Sequence, residues 1–392
     1  MKLLVLTSRF PYPIEKGDKL RAYHQLRELG RRHEVILVAL TMQPVTAAEL
    51  EAVADLVQQV HVFPMSRLGL VWELGQCLLD GRPAQVAYFY RRRIHQQIRA
   101  LIAREGPDHI YCQLLRMADY VRDSPVPATL DYMDAFSVGM ARRARESRPW
   151  LRPFFAWEAR KVARYERAIF ADFAHHTIIS EQDRLHLPVP EPKCVLVVPN
   201  GIDLAHFAPP EQAPTPRHDL VFVGNMGYFP NVRAARYLVE EVMPLVWARR
   251  PGTTVLLAGA RPTAEVRALG RLPQVTVSGW VADIRDAYLD GRLLVAPLFT
   301  GSGQQNKILE AMALGQPCLT TPMVNNAIGA APGADICLAD RAEAFAQQIV
   351  DLLGDAARLQ RVGQAGRSYV AQHFSWRRSV SLLEDLIGRE SV

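Results

Sequence analysis

Short, wholly apolar runs alternate along this chain with longer amphipathic stretches, and the alternation occurs twice. Lys2–Thr7 and Glu34–Leu40 read as strands, with helical spacing over Leu20–Leu29 between them. Further strands are expected at 109–112, 128–132, 177–179 and 194–198. Strands without polar alternation, separated by amphipathic helices, predict βαβ units and a parallel sheet buried on both faces. A second series begins after Asn200, with strands expected at 219–223, 255–258, 274–278, 293–296 and 317–320. Each ends in small or turn-forming residues, such as Gly224-Asn225, Gly259 and Gly279-Trp280. Because ligands of open α/β sheets bind beyond the carboxyl ends of the strands, this half presents a row of candidate ligand loops. The segment from Val198-Pro199-Asn200-Gly201 to the four prolines of residues 209–216 reads as the passage between two domains, which the 392-residue length accommodates.

Composition removes several classes. The five cysteines contain no CxxC pair and read as buried, reduced thiols rather than a disulfide framework or zinc ribbon. Met1-Lys2 leads directly into the first strand without a signal-peptide pattern, and no run of about 18 apolar residues exists. The expectation is a cytoplasmic protein with no metal centre; His175-His176 has no third ligand nearby and reads as structural. The net charge of +6 lies wholly in residues 1–200. Arg82–Arg104 holds six arginines and no acid, and Arg142–Arg167 holds nine basic residues against Glu146, Glu158 and Glu166. These runs suit solvated helix faces, and equally suit attraction to anionic lipid at the inner face of a membrane or to a phosphate-bearing acceptor. No nucleic-acid module accompanies them.

The segment from Phe299 to Pro317 carries the clearest chemistry. A strand is followed by the loop Gly301-Ser302-Gly303, then a helix from about Asn306 that ends at Gly315. A glycine loop feeding a helix N-terminus favours an anion, because free N–H groups and the helix dipole point at it. Lys307 in the first turn opposes the dipole unless an anion bridges it, and Glu310 lies one turn on along nearly the same face. A lysine for a diphosphate and a carboxylate for ribose hydroxyls suit a nucleotide sugar; an ordinary surface pair at i, i+3 is the plain alternative.

The run Leu309-Glu-Ala-Met-Ala-Leu-Gly-Gln-Pro resembles the C-terminal signature of retaining GT-B glycosyltransferases of the group-1 type. That pattern carries two glutamates eight positions apart. Glu310 matches the second, the ribose binder, whereas Ser302 followed by Gly303 occupies the first. Val198-Pro199-Asn200-Gly201-Ile202-Asp203 is similar to the family's entry to its second domain, and 221–224 to that domain's first strand. The arginine and lysine that usually follow, binding diphosphate, are replaced by Asn225-Met226-Gly227 and Pro230-Asn231-Val232, which shifts weight to Lys307. Trp280 and Val281 resemble the base-binding region, and Gln304, Gln305 and Asn306 line the expected phosphate site. In the first half, Lys16-Gly17-Asp18-Lys19 stands where the family has a glycine loop facing the donor phosphates. Gly17 permits close approach, and Lys16, Lys19 and Arg21 are available as cations; Asp18 as an N-cap of a solvated helix is the alternative. His24, and the strand-end carboxylates Asp131 and Asp134, are candidates to contact the donor sugar or the acceptor. Packing for His24, and for the carboxylates a cap plus an ion pair to the basic 158–167 helix, are the structural alternatives. Arg-Phe-Pro-Tyr-Pro and Lys-Gly-Asp-Lys resemble the bacterial subgroup associated with exopolysaccharide and PEP-CTERM loci.

The resemblance implies two Rossmann-like α/β domains facing across a deep cleft. Residues 1–198 would bind the acceptor, with a helix at about 376–392 returning to them, and 199–375 would bind the donor. It implies hexosyl transfer with retention from a UDP or GDP sugar to a saccharide or lipid-linked acceptor, without a metal or other cofactor. A nucleotide-sugar epimerase of the same fold and a degenerate binding protein are the rival readings. A dinucleotide dehydrogenase is disfavoured, since no Gly-x-Gly-x-x-Gly follows the first strand.

Overall fold

The computed structural model describes residues 1–65, 81–212, 214–300 and 304–388. Gly301, Ser302 and Gly303 therefore lie outside the described residues, as does Cys77. Chain contacts divide the protein into two compact units: Met1–Asn200 with the segment from Trp376 onward, and Gly201–Ser375.

In the first unit, seven described strands form one sheet in the order β3-β2-β1-β4-β5-β6-β7. They are β1 (Lys2–Thr7), β2 (Glu34–Thr41), β3 (Gln59–Pro64), β4 (His109–Gln113), β5 (Ala128–Asp131), β6 (His175–Ile178) and β7 (Val195–Val197). Every pairing is parallel. The central strands are apolar because both faces are covered: Leu4 and Leu6 pack to one side, Leu3 and Val5 to the other, against Leu26, Leu29 and the Val380 and Leu383 of the last helix. That helix, Trp376–Gly388, lies along the helix Gly17–Leu29, with His33 Nε2 2.9 Å from Glu384 Oε1.

The second unit repeats the architecture with six described strands in the order β10-β9-β8-β11-β12-β13, all parallel. They are β8 (His218–Val223), β9 (Val255–Ala258), β10 (Val275–Gly279), β11 (Gly291–Ala296), β12 (Cys318–Thr320) and β13 (Cys337–Leu338). In each sheet the strand order reverses beside the first strand, between β1 and β4 and between β8 and β11. Two backbones meet tightly just beyond the ends of β8 and β9. A Cβ on Gly259, whose φ is +139°, would lie 1.8 Å from the Gly224 carbonyl oxygen. Gly259→Ala is accordingly expected to cost about 1–3 kcal/mol from backbone strain alone, with the steric overlap added. Urea unfolding checks this, and an unchanged midpoint would contradict the close approach.

Several local expectations change. Strands β3 and β13 carry no apolar run that marks them, since β3 is only half-buried and β13 has two residues. The first helix begins at Gly17 and has no side-chain cap; Asp18 instead accepts from Arg9. The helix that carries the basic 158–167 stretch spans Arg152–Ala168 and tightens into a 3₁₀ turn, Ile169–Asp172. Cys194 is exposed, unlike buried Cys112, Cys318 and Cys337. No described helix is long and apolar enough to cross a membrane.

Candidate functional site

The helix Asn306–Ala313 starts at the carboxyl end of β11, beside the strand-order reversal. Ile308, Leu309, Met312 and Ala313 are buried in the core and hold it there. Its preceding residue, Gln305, makes no side-chain cap, and among the described residues the buried Asn306 Oδ1 has no hydrogen-bond partner. The helix therefore presents unsatisfied polar groups at its positive end.

Lys307 reaches back from that turn to β8. Its Nζ donates to Asn231 Oδ1 at 2.5 Å and lies 4.9 Å from the centre of the Phe222 ring. Burial pushes its pKa down to about 8, with Glu310 pulling the other way. The amide of Asn231 is fixed from its other end, where Nδ2 donates to the Asn225 carbonyl at 2.9 Å. Gly224 permits this arrangement: a Cβ there would lie 2.8 Å from Asn231 Nδ2 and 2.9 Å from Lys307 Nζ. Glu310 accepts from the Tyr288 hydroxyl at 2.6 Å. Burial raises its pKa, against the Tyr288 bond and Lys307. A cation and a carboxyl thus project from one turn into a partly desolvated corner, where each is under-neutralised by the protein itself.

The remaining second-unit candidates flank that corner. Gly279 accepts at its carbonyl from the Gly259 N–H at 2.9 Å, so the β10 end adjoins Gly259 and, through it, Gly224. Trp280 is 73% exposed there, an uncovered aromatic face at a strand end, while Val281 packs partly on the core. Asn225 uses its side chain locally, accepting from the Gly227 N–H. Gln304 and Gln305 lead directly into the helix. Sequence reasoning treated Asn231 only as an absent cation; the structure makes it the residue that orients Lys307. It also missed Tyr288 and the exposed Arg261, whose φ of 57° is strained for a residue with a side chain and which touches Gly227. Tyr288 and Glu310 are 22 residues apart, and no spacing rule links them.

First-unit candidates separate into two groups. Asp131 and Arg21 are not available to a ligand. Both side chains are fully buried, with Arg21 Nε donating to Asp131 Oδ2 at 2.6 Å and Nη1 to Asn200 at 2.9 Å. Tyr111 donates to the same carboxylate oxygen at 2.6 Å. The ion partner of Asp131 is thus the first helix, not the basic 158–167 helix. His24 is also a packing residue: it is 6% exposed and its ring is stacked on Trp376, centroids 4.9 Å apart. His176 stacks on Phe170 at 4.0 Å, and burial lowers its pKa to about 4.

Asp134, Lys16, Gly17 and Lys19 remain at the surface. Asp134 is partly exposed after Met133, whose φ is 62°, and its pKa is raised to about 7 by burial and by Asp183. Arg116 lies 5.0 Å from the ring centres of both Phe89 and Phe136, and among the described residues its Nε and Nη1 have no hydrogen-bond partner. Arg9, Lys16 and Lys19 share a cavity of about 350 Å³ with Tyr12, Tyr88 and Phe89. Nothing lies within 4 Å of where a Gly17 Cβ would sit.

The comparisons with known proteins follow this geometry. Residues 217–355, which include Gly224, Asn231, Trp280, Lys307 and Glu310, match the family model described as glycosyl transferases group 1. Sucrose-phosphate synthase from Thermosynechococcus elongatus is similar with a TM-score of 0.69 at 16% identity, over 99% of this chain and 98% of that one. Anabaena HepE, solved in complex with UDP-glucose, is similar at 0.67 and 14% identity, over 99% and 100%. A Klebsiella pneumoniae protein described as an uncharacterized 44.6 kDa protein in cps region is 18% identical over 390 residues, 95% of this chain and 96% of its own. The fold is GT-B: two Rossmann-like units of parallel α/β structure, with residues 217–355 of the second similar to the group-1 glycosyl transferase model.

Proposed function

We propose that the protein is a retaining glycosyltransferase that moves a hexosyl unit from a nucleotide-diphosphate sugar to a saccharide or lipid-linked acceptor. The observation that carries this reading is the pairing of Lys307 and Glu310 on the uncapped first turns of one helix, at the strand-order reversal of a group-1 domain. Lys307 would hold the diphosphate, which gains negative charge as the sugar leaves with oxocarbenium character, and the helix N–H groups would add to that stabilisation. Glu310 would accept from the ribose hydroxyls, and Trp280 with the Val281 backbone would border the base. Ser302 and Gly303 would face the sugar. In the first unit, Arg9, Lys16 and Lys19 would receive a phosphate-bearing ligand. Asp134, poised between protonated and ionised near neutral pH, would exchange a proton with a sugar hydroxyl. The exopolysaccharide setting rests on the resemblance of the Arg9–Lys19 segment and of the variant signature. HepE's complex makes UDP the first nucleotide to try.

Glu310→Gln tests the ribose assignment. It is expected to weaken UDP binding by roughly tenfold, the scale of one hydrogen bond to a charged group, and to erase the preference for UDP over 2′-deoxy-UDP. Calorimetry with both nucleotides checks it; an intact preference would remove Glu310 from the site. Product formation from the donor sugar alone would instead favour an epimerase.

A further inference from the structure

A cluster of exposed large apolar side chains, none of them among the groups described above, lies at the tip of a helical pair in the first unit. Helices Phe136–Glu146 and Arg152–Ala168 pack side by side and are joined by the turn Pro149–Leu151. At that tip Trp150 is 68% exposed, Phe154 50%, Leu151 40% and Trp157 36%. Phe154 stacks between neighbours, its ring centroid 5.3 Å from Phe155 and 6.3 Å from Trp157, so the aromatics form one patch.

The cations around the patch are exposed too. Arg143, Arg145, Arg148 and Arg152 surround the turn, and none forms an ion pair with a described acid. Two lie against aromatic faces, Arg148 5.4 Å from the Trp150 ring centre and Arg143 4.5 Å from that of Phe155. Two of the three acids that balance this segment in the sequence are withdrawn from the surface. Glu158 is 1% exposed and Glu166 is fully buried. Burial raises the pKa of both, that of Glu166 to about 7. With Glu158 and Glu166 withdrawn and Arg143, Arg145, Arg148 and Arg152 exposed, the surface of this helical pair carries an excess of cations.

We infer that this helical tip is a docking surface for an anionic lipid bilayer. Exposed Trp and Phe side chains at a turn between two helices suit insertion at the headgroup boundary, and arginines beside them can keep their guanidinium groups among phosphates while their stems lie on apolar surface. A second copy would bring the same four exposed arginines against this tip and be repelled by it, whereas anionic headgroups complement them. The charge supplies attraction that falls with salt, and the aromatics supply a term that does not. The inference stands apart from the donor site, which lies in the other unit.

The test is sedimentation of the full-length protein with vesicles of phosphatidylcholine containing 30% phosphatidylglycerol (a composition on the order used for anionic surfaces), against phosphatidylcholine alone. The expected result is binding to the anionic vesicles only, weakened by salt, with a blue shift of tryptophan emission. Trp150→Ala with Phe154→Ala should reduce the partition coefficient by roughly tenfold or more. Arg145→Gln with Arg148→Gln should reduce it by on the order of fivefold for each charge. UDP binding and thermal midpoint should stay as in the parent, since all four positions are exposed. No binding to anionic vesicles at low salt, equal binding by the aromatic variant, or concentration-dependent self-association through the tip without vesicle binding would each overturn the inference.

Discussion

Lys307→Met is expected to weaken UDP binding by ten- to a hundredfold while leaving the fold as stable as the parent, or more so. The first part follows from the loss of a charge-assisted contact to phosphate, worth about 1.5–3 kcal/mol. The second follows from the cost of the parent arrangement. The ammonium sits in a corner where burial lowers its pKa to about 8, with Asn231 and the Phe222 ring as its described neighbours. An unbranched apolar side chain of similar length removes that cost. The pH dependence has a definite sign. The folded pKa lies below the unfolded value of 10.5, so between about 8 and that value the unfolded chain binds more protons and this group adds stability as pH rises. Nucleotide binding runs the opposite way, because the neutral amine that forms above about pH 8 cannot pair with a diphosphate. Titration calorimetry from pH 6.5 to 9.5 should show affinity falling through that range in the parent and a flatter profile in the variant. Equal affinity in both proteins would remove Lys307 from the donor site.

Asp131→Leu or Arg21→Met should each cost about 3–5 kcal/mol of unfolding free energy, the scale for stripping one partner from a fully buried ion pair. The reason is that the surviving charge stays where water cannot reach it. Asp131 accepts from Arg21, the Tyr111 hydroxyl and the Met133 N–H, and Arg21 also donates to Asn200. Three segments of the first unit therefore meet at one carboxylate, the first helix, β4 and the end of β5, and Arg21 also ties in Asn200, the residue that precedes the second unit. Combining Arg21→Met with Asp131→Leu should recover a large part of the loss, because no lone charge then remains. Denaturant unfolding of the two single variants and the double variant measures this as a coupling energy. Additive losses would show that the pair is not the unit of stabilisation.

Most strands were legible because a parallel sheet covered on both faces demands runs such as Leu3-Leu4-Val5-Leu6 and Val35-Ile36-Leu37-Val38, which few other structures tolerate. β3 escaped notice for the converse reason: Gln59, His61 and their neighbours are half-buried at a sheet edge, and no continuous apolar run results. In the site, the helix from Asn306 was readable from its glycine loop, its apolar stripe and its closing Gly315. Its partners were not. Asn231 lies 76 positions from Lys307 and looked like a lost cation, yet it is the hydrogen-bond acceptor that aims the lysine.

By itself the sequence determined the two-fold α/β plan, the placement of ligand loops after the strands, and the pairing of Lys307 with Glu310 on one helix face, because these depend on periodicity and short spacing. Only the tertiary structure decided which charged groups are free to act. It buried Asp131 against Arg21, stacked His24 on Trp376, and withdrew Glu158 and Glu166 from a surface that keeps its arginines and tryptophans. The physical reason is common to all of them. A charge is useful to a ligand only if the fold leaves it without a committed protein partner, and such partners are supplied by segments tens to hundreds of residues away.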